Sequence, residues 1–305
     1  MPRILVIKLG ALGDFVLSTG AFQAIRRHHR DDRITLLTTA PFAGLARAGG
    51  WFDEVWIDDR PALWQVSAWR ALGRRLRIAG FARVYDLQHS DRSHAYFRLF
   101  GRRRPEWSGI ARGCSHPHAN PRRDAMHTVE REAEQLAMAG IDAPPPPDLS
   151  WLDADVGRFG IAGRYALLVP GGSAHHPAKR WPAANYAEIA NRLAGDGVRP
   201  VLIGTGAERD ALETIARACA GVRDLCGQTN FAEIVALARG AAGALGNDTG
   251  PMHLIATAGC PSLVLFSAAS DPKLTAPRGP VVGIVQRPSL AALSPDDVFA
   301  ALGLR

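Results

Sequence analysis

Short apolar runs alternate with longer amphipathic segments along the chain. In the first half these runs predict strands over residues 4–7, 34–38, 54–57 and 83–87. Between the first two strands, apolar residues at helical spacing predict a helix over residues 14–29. Alternation of this kind is typical of βαβ units and predicts a parallel sheet.

The same alternation restarts after a run of four prolines, residues 144–147. It predicts strands over residues 165–169, 200–203, 222–225, 242–245, 262–266 and 281–285, with helices over 184–193 and 207–218. Consecutive prolines cannot continue a helix or a central strand, so we expect a stiff, extended spacer. The sequence therefore predicts two Rossmann-like domains, residues 1–148 and 149–305, that face each other across a cleft. It leaves open whether the last helix packs back on the first domain.

Composition and charge narrow the classes of protein. The chain has 305 residues, of which 47% are hydrophobic and 21% charged, as in soluble globular proteins. No apolar run suits a membrane span or a secretory signal, so we expect a cytoplasmic protein. The four cysteines lack C-x-x-C pairing, which argues against a disulfide framework or a zinc site.

The net charge of +7 is unevenly distributed. Between Arg60 and Arg123 the sequence holds fourteen arginines and three acidic residues. Such a segment favours an anionic partner, and nucleic acid, an anionic membrane surface and an acidic substrate all qualify. A solvated arginine-rich surface explains the same composition.

The first motif, "GALGD", follows the first predicted strand and ends at Asp14. It lacks the spacing of a dinucleotide-binding fingerprint and the Lys-Ser/Thr of a P-loop. A carboxylate at this position caps a helix N-terminus or acts as a general base toward a hydroxyl group. The residues alone leave both interpretations open.

The second motif, "VPGGS", ends at Ser173, and Lys179 follows it before the next predicted helix. Glycines let a backbone approach a ligand closely, Lys179 can neutralise a diphosphate, and Ser173 offers a hydroxyl group. An exposed loop with incidental charge is the alternative. Glu208, after another strand, is suited to bind ribose hydroxyls or to cap a helix N-terminus.

The third motif, "GNDTGPMH", is the most specific. The proline suits the first turn of a helix, whose unpaired N–H groups at Thr249 and Gly250 would face an anion. Asp248 and His253 are candidates for the same site, although a helix cap and a core histidine explain them too. No further histidine or carboxylate stands at ligand spacing, so we predict no metal site.

Together, "VIKLGALGD", "PAKRWP" and "GNDTGPMHL" resemble, in this order, the bacterial heptosyltransferases of glycosyltransferase family 9. The resemblance implies a GT-B architecture of two Rossmann-like parallel-sheet domains. It also implies inverting transfer of a heptose from ADP-heptose to the Kdo (3-deoxy-octulosonic acid)/heptose inner core of lipopolysaccharide, with neither metal nor cofactor.

By motif position, the resemblance implies that Asp14 is the general base and that Lys179 contacts the donor phosphate. The residues predicted to complete the donor site are Ser173, Glu208, Thr229, Asp248, Thr249, Gly250 and His253. Basic residues are candidates for contacts with an acidic acceptor, although no motif identifies them: Lys8, Arg60, Arg92 and Arg122.

The partners implied are ADP-heptose, a lipopolysaccharide core precursor and the inner leaflet of the cytoplasmic membrane, which the enzyme would touch peripherally. Nucleic acid is not expected, because the sequence holds no helix-turn-helix, RNP or zinc-finger pattern. Two alternatives remain open: a GT-B enzyme that transfers or epimerises another nucleotide sugar, and a non-catalytic protein that binds anions or nucleic acid.

Overall fold

The computed structural model describes residues 1–172 and 177–304. The chain forms two compact units, Met1–Pro147 and Asp148–Arg305. The division falls at the end of the proline run, one residue before the boundary predicted from the sequence. Each unit is built on one six-stranded sheet.

The first unit alternates strands and helices. Its strands are β1 (Arg3–Ile7), β2 (Arg33–Thr38), β3 (Glu54–Ile57), β4 (Arg83–Asp86), β5 (Glu106–Gly109) and β6 (His116–Pro117). Its helices are α1 (Leu12–Leu17), α2 (Thr19–His28), α3 (Ala43–Ala48), α4 (Val66–Ile78), α5 (Asp91–Leu99) and α6 (Thr128–Ala137). The strand order is β3-β2-β1-β4-β5-β6, and all neighbouring strands are parallel. This is the order of a Rossmann fold.

The second unit repeats this topology. Its strands are β7 (Tyr165–Val169), β8 (Arg199–Leu202), β9 (Arg223–Asp224), β10 (Gly243–Asn247), β11 (Ser262–Phe266) and β12 (Val282–Gln286). Its helices are α7 (Ala183–Gly195), α8 (Arg209–Ala218), α9 (Phe231–Gly240), α10 (Gly250–Thr257), α11 (Pro272–Thr275) and α12 (Pro295–Leu302). The order β12-β11-β10-β7-β8-β9 places β7 and β10 side by side, as β1 and β4 are in the first unit. The predicted α/β class with two parallel sheets is confirmed.

The central strands are buried because each sheet is covered on both faces. All five residues of β7 are buried, as are four of the five in β1. Edge-to-face aromatic pairs fill both cores, with Trp107 against Phe97 at 5.1 Å and Trp181 against Tyr186 at 5.0 Å between ring centroids. The last helix, α12, packs against α7 and β10–β12 of its own unit.

Three features differ from the prediction or were missed by it. The helix predicted over residues 14–29 is two helices, α1 and α2, which meet at Ser18. The sequence did not predict β5 and β6. The proline run lies against α2, where a Cβ on Gly20 would stand 1.9 Å from the carbonyl oxygen of Pro145. The prolines therefore pack on the first unit and are not a free spacer.

The helices of both units are short. The longest, α4 and α7, have 13 residues each. Across residues 1–172 and 177–304, none of the helices has the length and apolarity that a bilayer crossing requires.

Candidate active site

The strand order determines where a ligand site is expected in each unit. In a parallel sheet, ligands bind outside the carboxyl ends of the strands, where the strand order reverses. These positions lie beyond β1 and β4 in the first unit and beyond β7 and β10 in the second. The three sequence motifs lie at three of these four strand ends, those of β1, β7 and β10.

Asn247, the last residue of β10, joins three segments of the second unit. Its Oδ1 accepts hydrogen bonds from the Trp181 N–H and the Tyr186 hydroxyl, both at 3.1 Å. Its Nδ2 donates to the carbonyl oxygens of Pro170 at 2.8 Å and Gly171 at 3.1 Å. Because the side chain is fully buried, these bonds fix both ends of the connection between β7 and α7 to the end of β10. Asn247 lies in the third motif, but its role as a buried connector cannot be predicted from the sequence, because its partners lie 61 to 77 positions away.

Lys179 and Asp248 form an ion pair at this edge of the second sheet. The Nζ of Lys179 lies 2.7 Å from the Oδ2 of Asp248, and their side chains are 19% and 8% exposed. Asp248 directly precedes Thr249, the N-cap of α10. The structure thus brings together two residues predicted separately from the second and third motifs.

The N-terminus of α10 begins beside this ion pair. Thr249 has an extended backbone, Gly250 is the first helical residue and Pro251 lies in the first turn. In the part of the chain that the structure describes, no side chain caps this helix end. Its first N–H groups therefore suit an anion, as the sequence predicted.

Glu208 and Gly171 approach each other closely in the second unit. The Oε2 of Glu208 accepts a hydrogen bond from the Thr205 N–H at 2.8 Å, so this carboxylate caps its own helical turn. A Cβ on Gly171 would lie 2.7 to 2.9 Å from the side chain of Glu208. Glycine is therefore required at this position if Glu208 is to lie beside the loop that follows β7.

The remaining candidates of the donor site differ in how they are placed. His253 lies on α10 and is 4% exposed, while Thr229 is half-buried just before α9. Ser173 lies outside the described residues. Within the described ranges, no three His, Cys, Asp or Glu side chains are grouped as a metal site would require.

Asp14 lies in the first turn of α1, beyond the end of β1. It is half-buried, and its Oδ2 accepts a hydrogen bond from the Ala11 N–H at 3.3 Å. The turn needs glycine at position 10, where φ is +118° and a Cβ would lie 2.5 Å from the ring of Phe42. The capping contact is long, and the Oδ1 of Asp14 makes no hydrogen bond with any described residue. The geometry is therefore compatible with a role in proton transfer as well as in capping.

A buried polar network supports the helix of Asp14. The Nζ of Lys8 donates to the Oε1 of Glu132 at 2.9 Å and to the carbonyl oxygen of Leu87 at 3.0 Å. The Oγ of Ser18 lies 2.8 Å from the same Glu132 oxygen and 2.7 Å from the carbonyl oxygen of Asp14. Lys8 is only 2% exposed, because its charge is compensated inside the unit. Lys8, predicted as an acceptor contact, connects β1 and β4 to α6.

Two further titratable groups lie where β4 ends: Asp86, which is fully buried, and His89, which is half-buried. Burial raises the pKa of Asp86 to about 6, although the Ser93 hydroxyl and the N–H groups of Gln88 and His89 oppose the shift by hydrogen bonding. Burial also lowers the pKa of His89 to about 3. The Oδ2 of Asp86 makes no hydrogen bond with the described residues. Neither group stands in a predicted motif, since nothing in the local sequence signals that the fold encloses them.

The three predicted acceptor arginines have different surroundings. Arg60 and Arg122 are exposed. Arg92 is half-buried, and its guanidinium donates to the carbonyl oxygen of Pro61 at 3.1 Å and to the Tyr96 hydroxyl at 3.3 Å.

Comparison with known proteins identifies a family. The model of glycosyltransferase family 9 (heptosyltransferase) matches residues 69–294. Lipopolysaccharide heptosyltransferase 2 of Escherichia coli K12 is 34% identical over 316 residues, which cover 90% of this chain and 85% of that protein. Lipopolysaccharide heptosyltransferase 1 of Pseudomonas aeruginosa is 26% identical, over 87% of this chain and 78% of that protein.

Solved structures share the fold over nearly the whole length. The ADP-heptose lipopolysaccharide heptosyltransferase II of E. coli superposes with a TM-score of 0.77 at 22% identity, covering 98% of this chain and 97% of that one. A family 9 glycosyltransferase from Veillonella parvula gives a TM-score of 0.84 at 18% identity, covering 98% and 95%. E. coli heptosyltransferase WaaC with ADP gives 0.75 at 20% identity, covering 97% of each chain.

Replacing Asn247 tests whether its side chain holds the connection between β7 and α7 against the end of β10. We expect Asn247→Ala to lower the free energy of unfolding by about 3 kcal/mol or more, because it leaves buried donors and acceptors unpaired. Urea unfolding measures the change. Asn191→Ala is the matched control, since Asn191 is exposed and makes one hydrogen bond, to Ala218. Equal stability of the two variants would contradict the assignment.

The raised pKa of Asp86 predicts a pH-dependent stability. Because folding raises this pKa from 3.8 to about 6, the folded chain holds the proton more tightly, and stability is lost as pH rises from about 4 through 6. Asp86→Asn should therefore gain stability relative to the natural chain across this window, by as much as about 3 kcal/mol.

Unfolding of both proteins at a series of pH values measures this difference. His89 acts in the opposite direction, because its lowered pKa removes stability as pH falls below 6.5. The comparison between variant and natural chain cancels that contribution. Asp142→Asn, at an exposed loop position, is the control and should show no such window. Parallel pH profiles for Asp86→Asn and the natural chain would rule out the raised pKa.

Proposed function

Because the chain belongs to glycosyltransferase family 9 (heptosyltransferase), we propose that it transfers a heptose from ADP-heptose to the Kdo/heptose inner core of lipopolysaccharide. The observation that carries the proposal is the pairing of Lys179 with Asp248 beside the N-terminus of α10. A relative that is 34% identical over 90% of the chain is a lipopolysaccharide heptosyltransferase. A protein of the same fold has been solved with ADP.

In this proposal, the second unit binds the donor diphosphate. Lys179 supplies a cation, and the N–H groups of Thr249 and Gly250 supply hydrogen bonds together with the positive end of the α10 dipole. Asn247 ties both ends of the connection between β7 and α7 to the end of β10. Lys179 and the N-terminus of α10 are therefore oriented before the donor arrives. Glu208 and Thr229 are proposed to contact the nucleoside, and His253 to line the same site.

The first unit provides the base in the proposed reaction. The carboxylate of Asp14 accepts the proton of an acceptor hydroxyl while that oxygen forms its bond to the anomeric carbon. The bond from this carbon to the ADP oxygen breaks on the opposite face, and ADP leaves with the electron pair. Attack from the opposite face inverts the anomeric configuration.

The leaving group needs stabilisation, because negative charge accumulates on the departing diphosphate. We propose that Lys179 and the α10 N-terminus provide it without a divalent ion, as preorganised charges and dipoles. No cofactor has a role in this scheme.

The acceptor side of the proposal rests on charge. The exposed guanidinium groups of Arg60 and Arg122 suit the carboxylate of Kdo or a core phosphate. Arg92 and Lys8 contribute through the fold, since both are engaged within the unit. Because a lipopolysaccharide precursor is membrane-bound, we propose that the enzyme works at the cytoplasmic face of the inner membrane.

Replacing Asp14 distinguishes its proposed role as a general base from a role as a helix cap. Asp14→Asn retains an oxygen that can accept the Ala11 N–H, so stability and ADP affinity should stay within a few-fold of the natural chain. Heptose transfer should fall by about a hundredfold or more, because the base is lost. Transfer assays and ADP titration measure both. Asp31→Asn, at an exposed position of the same unit, should keep full activity. Loss of stability and ADP affinity together would indicate capping instead.

Replacing Lys179 tests the diphosphate site. Titration calorimetry in EDTA should show binding of ADP in preference to UDP and GDP, and Lys179→Met should weaken ADP binding about tenfold to a hundredfold. Lys273→Met, an exposed lysine of the same unit, is the control. The double variant Lys179→Met/Asp248→Asn shows whether an unpaired carboxylate causes the loss. Preference for UDP would point to another nucleotide sugar, and strict metal dependence would refute the leaving-group assignment.

A further inference from the structure

The surface formed by α4 and the loop before it carries exposed apolar and cationic side chains. In the described part of the chain, four of the eight exposed large hydrophobic residues lie here: Leu63 (82% exposed), Trp64 (83%), Val66 (51%) and Ile78 (77%). We call these four residues, together with the arginines of α4, the α4 face. Leu63, Trp64 and Val66 lie together at the start of α4, and Ile78 lies at its end. Exposed apolar residues that are grouped in this way mark an interaction surface, whereas single scattered ones need no explanation.

The loop that bears Leu63 and Trp64 is held in place. The Ala62 N–H donates to the Oε1 of Gln65 at 2.7 Å, and the Ala62 carbonyl oxygen accepts from the Trp69 indole at 3.1 Å. Arg92 donates to the carbonyl oxygen of the preceding residue, Pro61. The fold therefore presents the two apolar side chains outward on a fixed backbone.

The helix itself adds charge of one sign. Residues 66–78 contain four arginines and no acid, and all four are exposed: Arg70, Arg74, Arg75 and Arg77. The opposite side of α4 is anchored by Leu76, which is fully buried. Three more exposed arginines, residues 102–104, follow the neighbouring α5. The last residue of α5, Leu99, accepts a hydrogen bond from Arg77 through its carbonyl oxygen.

A groove of about 690 Å³ runs between α4 and β3. Arg74, Arg75 and Ile78 line it together with Trp56, whose ring lies 3.8 Å from the guanidinium of Arg75. The other polar side chains of the lining are Arg3 and Glu54, which pair with each other at 3.3 Å, so Arg74 and Arg75 supply its unpaired charge. An apolar lining with these two arginines suits a group that joins an anionic head to an apolar chain. That is the chemistry of an anionic phospholipid.

We propose that the α4 face docks the enzyme on an anionic phospholipid membrane. Leu63, Trp64 and Val66 enter the headgroup layer, and the arginines contact lipid phosphates. A second copy of the chain fits less well, because its arginines would repel the arginines of the first copy. Single-stranded nucleic acid fits less well too, because Trp64 is accompanied by aliphatic and not aromatic side chains. This inference rests on the proposed function, in which the acceptor is a membrane lipid.

Binding to vesicles tests the docking surface. The full chain should bind phosphatidylcholine vesicles that contain phosphatidylglycerol and not vesicles of phosphatidylcholine alone. The triple variant Arg70→Gln/Arg74→Gln/Arg77→Gln should bind about a hundredfold more weakly, since each arginine near such a surface contributes about fivefold. The control removes the same charge elsewhere in the unit, at the exposed positions Arg27→Gln/Arg30→Gln/Arg47→Gln.

The apolar part of the face has its own readouts. Tryptophan emission should shift to shorter wavelength with anionic vesicles, and Trp64→Phe should remove the shift while keeping binding. Leu63→Ser/Trp64→Ser should lose most binding without loss of thermal stability, because both side chains are exposed. Equal binding by both arginine triples, or binding unaffected by Leu63→Ser/Trp64→Ser, would overturn the proposal. The proposal would also be overturned if these residues joined copies of the chain into an oligomer. Binding of single-stranded RNA through these residues more tightly than vesicles would overturn it too.

Transfer assays keep this proposal distinct from the proposed function. Variants of the α4 face should transfer normally to an acceptor sugar without its lipid and poorly to an acceptor in vesicles. If the natural chain transfers heptose but never binds vesicles, docking is wrong and the function stands. If it binds vesicles through this face but transfers no heptose, the enzymatic proposal fails and docking stands.

Discussion

In each unit the strand order reverses beside the first strand, and this constraint determines where chemistry can occur. The connections after β1 and β4, and those after β7 and β10, leave neighbouring strands toward opposite faces of their sheet. A crevice opens between such connections at the carboxyl edge. Asp14 follows β1, and Asp248 follows β10, so both predicted acids stand at these edges because of topology and not because of local sequence alone.

A reversal of strand order also leaves backbone groups that the sheet cannot pair. Asn247 accepts two hydrogen bonds and donates two at the reversal in the second unit. In the first unit, the ion pair of Lys8 and Glu132 occupies the equivalent place and reaches the helix of Asp14 through Ser18. Buried polar groups of this kind are costly unless every partner is present. The hydrogen bonds that Asn247, Lys8 and Ser18 make across these strand ends hold the adjoining segments in one arrangement.

Much of this arrangement could be predicted from the sequence. The central strands are continuous apolar runs, so periodicity located them closely, and family membership predicted from three motifs is confirmed by the family model and the relatives. The strand β5 reads Glu-Trp-Ser-Gly and β6 has two residues, so neither carries a strand pattern. The burial of Lys8 was unpredictable because Glu132 lies 124 positions away. Charge alone likewise could not show that Arg92 supports a loop.

The ion pair of Lys179 and Asp248 has a consequence for an anionic donor. Asp248 is 8% exposed and adjoins the N-terminus of α10, so its negative charge offsets the helix dipole at the place where a diphosphate would lie. Lys179 cancels that charge at a distance of 2.7 Å. In the proposed donor site the lysine would therefore act twice, since it would attract the phosphate directly and prevent the carboxylate from repelling it. The carboxylate in turn orients the lysine amine toward the helix end, which a flexible four-carbon side chain would not otherwise maintain.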